Sequence, residues 1–217
     1  MESIVFFPTN NIGKFNRYKR FFEEKNIDYR RYLRIGDEEI KTEVKEDAKT
    51  TKENAQKKAK AYFDKYRTHL TNSNFIIMTT DEALYIDGLD KEEQPGLYVR
   101  RFNGLDRASD DEVVERYTKF VKKMGGEVKA KWVYSMVIYD GKSFYDYSWD
   151  EKVLFSDTPH YPITKGYVLN NITIVKKEDG KNIMLSDLSD EESYRYLSKY
   201  IDKVVDFVDD KIKRNKK

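Results

Sequence analysis

The sequence contains no cysteine. That absence removes disulfide bonds, thiolate metal sites and a cysteine nucleophile from consideration. Histidine is nearly missing: His69 and His160 are the two present, far apart and in polar surroundings. A histidine-based metal centre or a Ser-His-Asp triad is hard to build from them. No apolar run approaches the ~18 residues of a membrane span, and the first residues show no charged-then-apolar leader pattern. A membrane partner is therefore not expected, and a cytoplasmic location is. There is no long Pro/Gly/Ser linker and no internal repeat. A charge excess of one sign is also lacking, with 41 basic against 39 acidic residues interleaved along the chain. Nucleic-acid binding calls for a basic excess gathered on one face. Here the tail from about 211 to 217 is the strongly basic stretch, which reads as a solvated end, so no nucleic-acid partner is expected.

What remains is enough for one sizeable domain of 217 residues. Hydrophobic residues make up only 39%, but 14% of the chain is aromatic, and large rings bury much area per residue. The charged fraction of 37% exceeds the roughly 25% of an ordinary domain and describes a salt-laced surface.

Apolar patterning gives the element order. Residues 3–8 read as a buried strand, followed by a helix from about Lys14 to Lys25 with Phe15, Tyr18, Phe21 and Phe22 on one face. Asp28 to Ile35 reads as a second strand. Thr50-x-x-Glu53 is a capping-box pattern opening a helix to about Arg67. Phe75 to Thr80 is a third apolar strand ending at Asp81, with Leu84 to Ile86 as an extension or a separate short strand. Ser109-x-x-Glu112 starts a helix that Gly125-Gly126 stops. Trp132–Tyr139 and Ser143–Ser148 form a hairpin around Asp140-Gly141. Tyr167 to Val175 is a further strand, and Ser189-x-x-Glu192 caps a final helix whose stripe from Tyr194 to Ile212 is core or partner surface. The alternation implies an α/β domain with a mixed sheet.

Chemistry enters at Thr9-Asn10-Asn11-Ile12-Gly13-Lys14, directly after the first strand. A loop of small and amide residues that opens a helix aims backbone N–H groups and the positive helix end at one spot. Lys14 adds a full charge, and Thr9 and Asn11 add hydrogen-bonding groups. Taken singly, the run is also an ordinary strand-to-helix turn.

Three further segments follow in order. Glu43-Val44-Lys45-Glu46 precedes Glu53-Asn54-Ala55-x-x-Lys58-Ala59. Then come Thr80-Asp81-Glu82-Ala83-Leu84 and Pro95-Gly96-Leu97-Tyr98-x-x-Arg101-Phe102-x-Gly104. Together these resemble the inosine triphosphate pyrophosphatase family. Its segments read T-G-N-x-x-K, E-x-x-E with E-N-A-x-x-K-A, D-D-S-G-L and P-G-x-Y-S-A-R-x-x-G. Beyond residue 104 the resemblance thins. Gly166 to Ile172 stands where that family has G-F-G-Y-D-P-I, and Leu197-Ser198-Lys199 stands for S-H-R.

The resemblance implies an elongated α/β structure over residues 1–217, a single domain with two lobes, a central mixed sheet flanked by helices and an active-site cleft between the lobes. It implies Mg²⁺-dependent hydrolysis of ITP, XTP or dITP-like purine nucleoside triphosphates to monophosphate and pyrophosphate, by a homodimer. Carried over by residue, Glu43 and Asp81 are the metal carboxylates, with Asp81 and Lys14 catalytic. Thr9, Asn11, Lys14 and Lys58 hold phosphates, and Tyr167, Asn170 and Lys199 face the base. Departures are expected to matter. Thr80 replaces a carboxylate, Asn170 an aspartate that only accepts hydrogen bonds, and Lys199 an arginine with a planar fork. They allow altered base choice. They also leave open a nucleotide-binding protein of impaired catalysis, and an interaction module built on the aromatic surface and last helix is a further alternative.

Overall fold

The structure is a computed structural model and describes residues 4–71, 73–102, 108–177 and 179–214. Gly104 and the end of the basic tail, residues 215–217, lie outside the described residues. In chain order the elements are β1 (Ile4–Phe6), α1 (Ile12–Glu24), β2 (Tyr29–Arg30), β3 (Arg34–Ile35), β4 (Glu38–Glu39), α2 (Thr51–Arg67) and β5 (Phe75–Ile86). There follow α3 (Asp110–Lys123), β6 (Glu127–Tyr139), β7 (Phe144–Ser156), β8 (Thr173–Lys176), β9 (Asn182–Met184) and α4 (Asp190–Arg214).

Seven strands are hydrogen-bonded in the order β2-β1-β5-β6-β7-β8-β9, while β3 and β4 pair separately. β1 runs parallel to both β2 and β5, and β8 runs antiparallel to β7 and β9. The result is a mixed α/β fold, a central sheet flanked by helices. By compactness the chain divides into two units: Met1–Asp81, Tyr134–Trp149 and Ser198–Lys217 form the first, and Glu82–Val133 and Asp150–Leu197 the second.

The first unit buries Phe6, Tyr62, Phe63, Tyr66, Phe75 and Ile77 together. Phe63 stacks on Phe75 at 4.8 Å and meets Tyr139 edge-on at 5.0 Å. Helix α2 meets the sheet through Ala55 and Ala59, one turn apart and both fully buried. Their small side chains let the helix approach closely enough for the Thr79 hydroxyl to donate to the Ala55 carbonyl at 2.7 Å. The Thr50–Glu53 capping box forms as expected, with Glu53 N–H donating to Thr50 Oγ1 and Thr50 N–H to Glu53 Oε2. In the second unit, Leu84, Ile86, Val114, Tyr117, Phe155 and Ile172 form the core.

Several expectations change. The stretch Asp28–Ile35 is not one strand. Its first part pairs with β1, and its end turns away at Gly36 into the small β3–β4 ladder. Tyr167–Val175 is a strand only at its end, because Val168–Ile172 winds into a 3₁₀ turn. Its apolar residues are buried either way, so hydrophobicity alone does not distinguish the two. The apolar strand runs unbroken through Asp81, where an end was expected, to Ile86, so Leu84–Ile86 is the extension and not a separate strand. The Asp140-Gly141 turn is as expected, though β6 and β7 extend well beyond it.

That turn makes a sharp prediction. Gly141 has φ of +94°, and a Cβ there would lie 2.3 Å from Cζ of Phe63. Gly141→Ala therefore combines a left-handed backbone with a clash against a packed ring. It is expected to cost about 2–4 kcal/mol and to lower Tm by roughly 5–12 °C in thermal denaturation.

Candidate functional site

The parallel pairing of β1 with β5 sets the site. Phe6 is opposite Ile77, so the loop after β1 opens beside the part of β5 that carries Asp81. In that loop Asn11 N–H donates to Thr9 Oγ1 at 3.1 Å. Asn11 caps α1, its Oδ1 accepting from Lys14 N–H at 3.2 Å. Helix α1 thus begins at Ile12, two residues earlier than the apolar face suggested. The acceptor atoms of Thr9 and Asn11 shape the loop and helix start, the conformation that groups N–H donors at a helix N-terminus.

Helix α2 supplies the opposite side. Asn54 and Lys58 are four residues apart and share one helix face. Both reach Asp81: Lys58 Nζ lies 3.0 Å from Oδ1, and Asn54 Nδ2 donates to Oδ2 at 3.1 Å. Lys58 also donates to the Thr80 carbonyl at 2.8 Å. The pair is well shielded, with side-chain exposures of 14% for Lys58 and 10% for Asp81. Burial is the largest influence on Asp81 and pushes its carboxyl above the ordinary aspartate range, against the pull of Lys58 and then of Lys14. Lys14 is thus close enough for its charge to act on Asp81.

The acidic loop before α2 is pinned to the same helix. Ala48 N–H donates to Asn54 Oδ1 at 3.0 Å, and Lys57 pairs with Asp47 at 2.6 Å. The lysines around Asp47, Lys57 first, hold its carboxyl down at about 2. Within this loop Glu46 lies 3.6 Å from Lys58 Nζ and adds negative potential at Asp81. Glu43 sits three residues earlier, exposed. Glu46 and Asn54 lie within the E-x-x-E and E-N-A segments, but the sequence alone assigns them no role. Their signals were the second glutamate of E-x-x-E and the asparagine of E-N-A.

The structure therefore brings together the Thr9–Lys14 loop, Glu46, Asn54, Lys58 and Asp81, all in the first unit. Lys199 also belongs to the first unit and is exposed on α4, whereas Tyr167 and Asn170 belong to the second, half-buried around the 3₁₀ turn. There Asn171, fully buried, donates to the His160 and Pro162 carbonyls at 2.6 and 2.9 Å and accepts from Thr164 N–H at 2.8 Å. It ties the segment before Tyr167 into a fixed loop.

Among the described residues no group of three or more His, Cys, Asp or Glu is placed to hold a metal by itself. Asp81 and Glu46 nonetheless offer hard carboxylate oxygens on the side of the site that Lys14 also faces. That donor set fits magnesium, which is commonly held by one or two carboxylates and shares the rest of its shell with substrate phosphate and water.

The chain is 31% identical over 110 residues to a dITP/XTP pyrophosphatase of Clostridium perfringens, covering 49% of this chain and 51% of that protein. It is 32% identical over 120 residues to the Staphylococcus epidermidis dITP/XTP pyrophosphatase, covering 54% and 53%. The matched stretch thus spans about half the length of these curated relatives. The fold is shared with the Staphylococcus aureus Ham1 protein at 21% identity and TM-score 0.63, covering 96% of this chain and 100% of that one. It is also shared with a HAM1 protein from Coxiella burnetii at 15% identity and TM-score 0.64, covering 94% and 98%. A family model described as the Ham1 family matches residues 5–158, the stretch that carries the Thr9–Lys14 loop, the acidic loop, Lys58 and Asp81, and the chain belongs to that family.

Proposed function

We propose that this chain is a Mg²⁺-dependent nucleoside triphosphate pyrophosphatase. Its substrates are ITP, XTP and dITP-like purine nucleoside triphosphates, which it hydrolyses to monophosphate and pyrophosphate. The observation that carries the reading is the buried Lys58–Asp81 pair, steadied by Asn54 and facing the positive field of Lys14. Hydrolysis between the α- and β-phosphates needs charge neutralisation, an aimed water and a stabilised leaving group. Lys14 and the loop N–H groups bind phosphate oxygens, and Lys58 adds a second cation. Asp81 is a carboxylate of raised pKa held in a fixed orientation, suited to accept the proton of the attacking water. Magnesium, when bound through Asp81 and Glu46, or through Glu43 as the family pattern has it, neutralises phosphate charge.

The names of the relatives support dITP and XTP as first candidates. The family resemblance assigns the base to Tyr167, Asn170 and Lys199. Asn170 both donates and accepts, and Lys199 lacks a planar fork, so discrimination between 6-keto and 6-amino purines is expected to be weaker than in a site built with aspartate and arginine. The homodimer and the cytoplasmic setting are proposed on the family resemblance.

The test is pyrophosphate release from dITP, XTP, dGTP, dATP and dCTP, with Mg²⁺ omitted and restored. Release from dITP and XTP that collapses without Mg²⁺ supports the proposal. Tight binding of a triphosphate with no release from any of the five supports a catalytically impaired nucleotide-binding protein instead.

A further inference from the structure

The anion loop has a support that the functional motifs do not include. A loop that presents its N–H groups to a ligand must turn carbonyls elsewhere, and those carbonyls need donors. Arg31 supplies them: Nε donates to the Thr9 carbonyl at 2.8 Å and Nη2 to the Asn10 carbonyl at 3.1 Å. One planar guanidinium thus clamps two successive peptide groups, which its fixed fork geometry permits and an ammonium does not. The position follows from the sheet. β2 lies parallel to β1, and Phe7 N–H donates to the Arg30 carbonyl at 2.7 Å, so residue 31 emerges next to the loop that β1 leads into.

Tyr32 completes the clamp. Its hydroxyl donates to Asn10 Oδ1 at 2.9 Å, and its ring is almost fully buried. Asn10 stands where the resembled motif T-G-N-x-x-K carries a glycine, so this side-chain anchor belongs to this chain. Arg31 lies over the Tyr32 ring at 5.0 Å, and Lys41 Nζ also lies 5.0 Å from that ring. Burial, more than its neighbours, pushes the Tyr32 hydroxyl up to about 12, so it remains a donor throughout the neutral range.

We propose that Arg31, with Tyr32, is a positioning residue that holds the Thr9–Lys14 loop in its anion-binding shape before any ligand arrives. Its guanidinium donates to the carbonyls of the loop itself, so it acts through the loop. A loop ordered in advance spares the ligand the entropy of ordering it. The inference rests on the phosphate-binding reading of that loop.

The test compares wild type with Arg31→Ala, Arg31→Lys and Tyr32→Phe. It measures kcat and KM for XTP, the Kd for inorganic tripolyphosphate by calorimetry, and Tm. Arg31→Ala is expected to raise KM and tripolyphosphate Kd by about tenfold or more, Arg31→Lys to recover only part of this, and Tyr32→Phe to raise both by about threefold. Unchanged KM and Kd in Arg31→Ala overturn the inference, even if Tm or the active fraction falls. Full recovery in Arg31→Lys also overturns it, because bare charge would then suffice. If Arg31→Ala does not fold, Arg31→Lys decides alone, and wild-type values in it count against the clamp. A wild-type protein that neither turns over XTP nor binds tripolyphosphate defeats the functional reading and the inference with it. An active wild type with unaffected variants defeats the inference only.

Discussion

Asp81→Asn is expected to lower turnover of dITP or XTP by about a thousandfold while leaving Tm unchanged or raised. The two halves of this result have one cause. Asp81 is held at 10% side-chain exposure, and its burial raises the carboxyl pKa above the ordinary value of 3.8 despite the attraction of Lys58 and Lys14. The sign of the stability effect follows from linkage. A group whose folded pKa is raised favours the fold while it is protonated, below its unfolded pKa, and that contribution is lost as pH rises through the folded pKa. At neutral pH the ionised Asp81 therefore costs stability that a neutral amide does not. The stability gain of Asp81→Asn over wild type should grow as pH rises from below about 3.8 and then level off. Denaturant titrations of both proteins between pH 3 and pH 8 measure it. A variant that loses activity because it loses stability contradicts this account.

Lys58→Ala carries the second large expectation, and here activity and stability fall together. The substitution removes the lysine partner of the nearly buried Asp81, to which Asn54 still donates, and strips the Thr80 carbonyl of its lysine donor. Breaking a buried pair costs about 3–5 kcal/mol when the remaining charge is left without compensation, as Asp81 is here; Asp81→Asn instead leaves Lys58 its Thr80 carbonyl acceptor and Glu46. Protonation of Asp81 relieves part of that, so about 2–4 kcal/mol is expected, a fall in Tm of roughly 5–15 °C. Turnover should drop at least a hundredfold through loss of the cation proposed to hold phosphate and through the disturbed carboxylate. The double variant Lys58→Ala/Asp81→Asn separates the causes. With the charge at 81 removed, the penalty of losing Lys58 should shrink by about 1–3 kcal/mol, a coupling that denaturant unfolding of the four proteins measures. Strict additivity would mean that the pair does not interact as its 3.0 Å geometry requires.

The opposite stability effects of these two changes show what the sequence made legible and what it did not. Thr9, Asn11, Lys14, Glu43, Lys58 and Asp81 stand out through the ordered resemblance of four segments to the inosine triphosphate pyrophosphatase family; singly, each reads as a turn or surface residue. The capping boxes at Thr50 and Ser109 are visible for a different reason, each being a local pattern that the local backbone satisfies. Long-range relations were not visible. Asp81 read as a strand terminus because a charge usually leaves a buried strand. A lysine 23 positions earlier in sequence neutralises it, so the strand runs on to Ile86. Glu46 could not be distinguished from Glu43 by pattern, because only the pinning of Ala48 and Asp47 to α2 brings Glu46 within reach of Lys58. Arg31 fell in what read as an ordinary strand. Its role depends on the parallel pairing of β2 with β1, which no local pattern encodes.

The central claim is the chemistry assigned to this assembly, and product identification tests it most directly. XTP incubated with the protein and Mg²⁺, followed by ³¹P NMR, should yield XMP and pyrophosphate in equal amounts, with no nucleoside diphosphate accumulating. Formation of XDP and orthophosphate, or no hydrolysis of XTP, dITP or ITP at any Mg²⁺ concentration, would contradict the account.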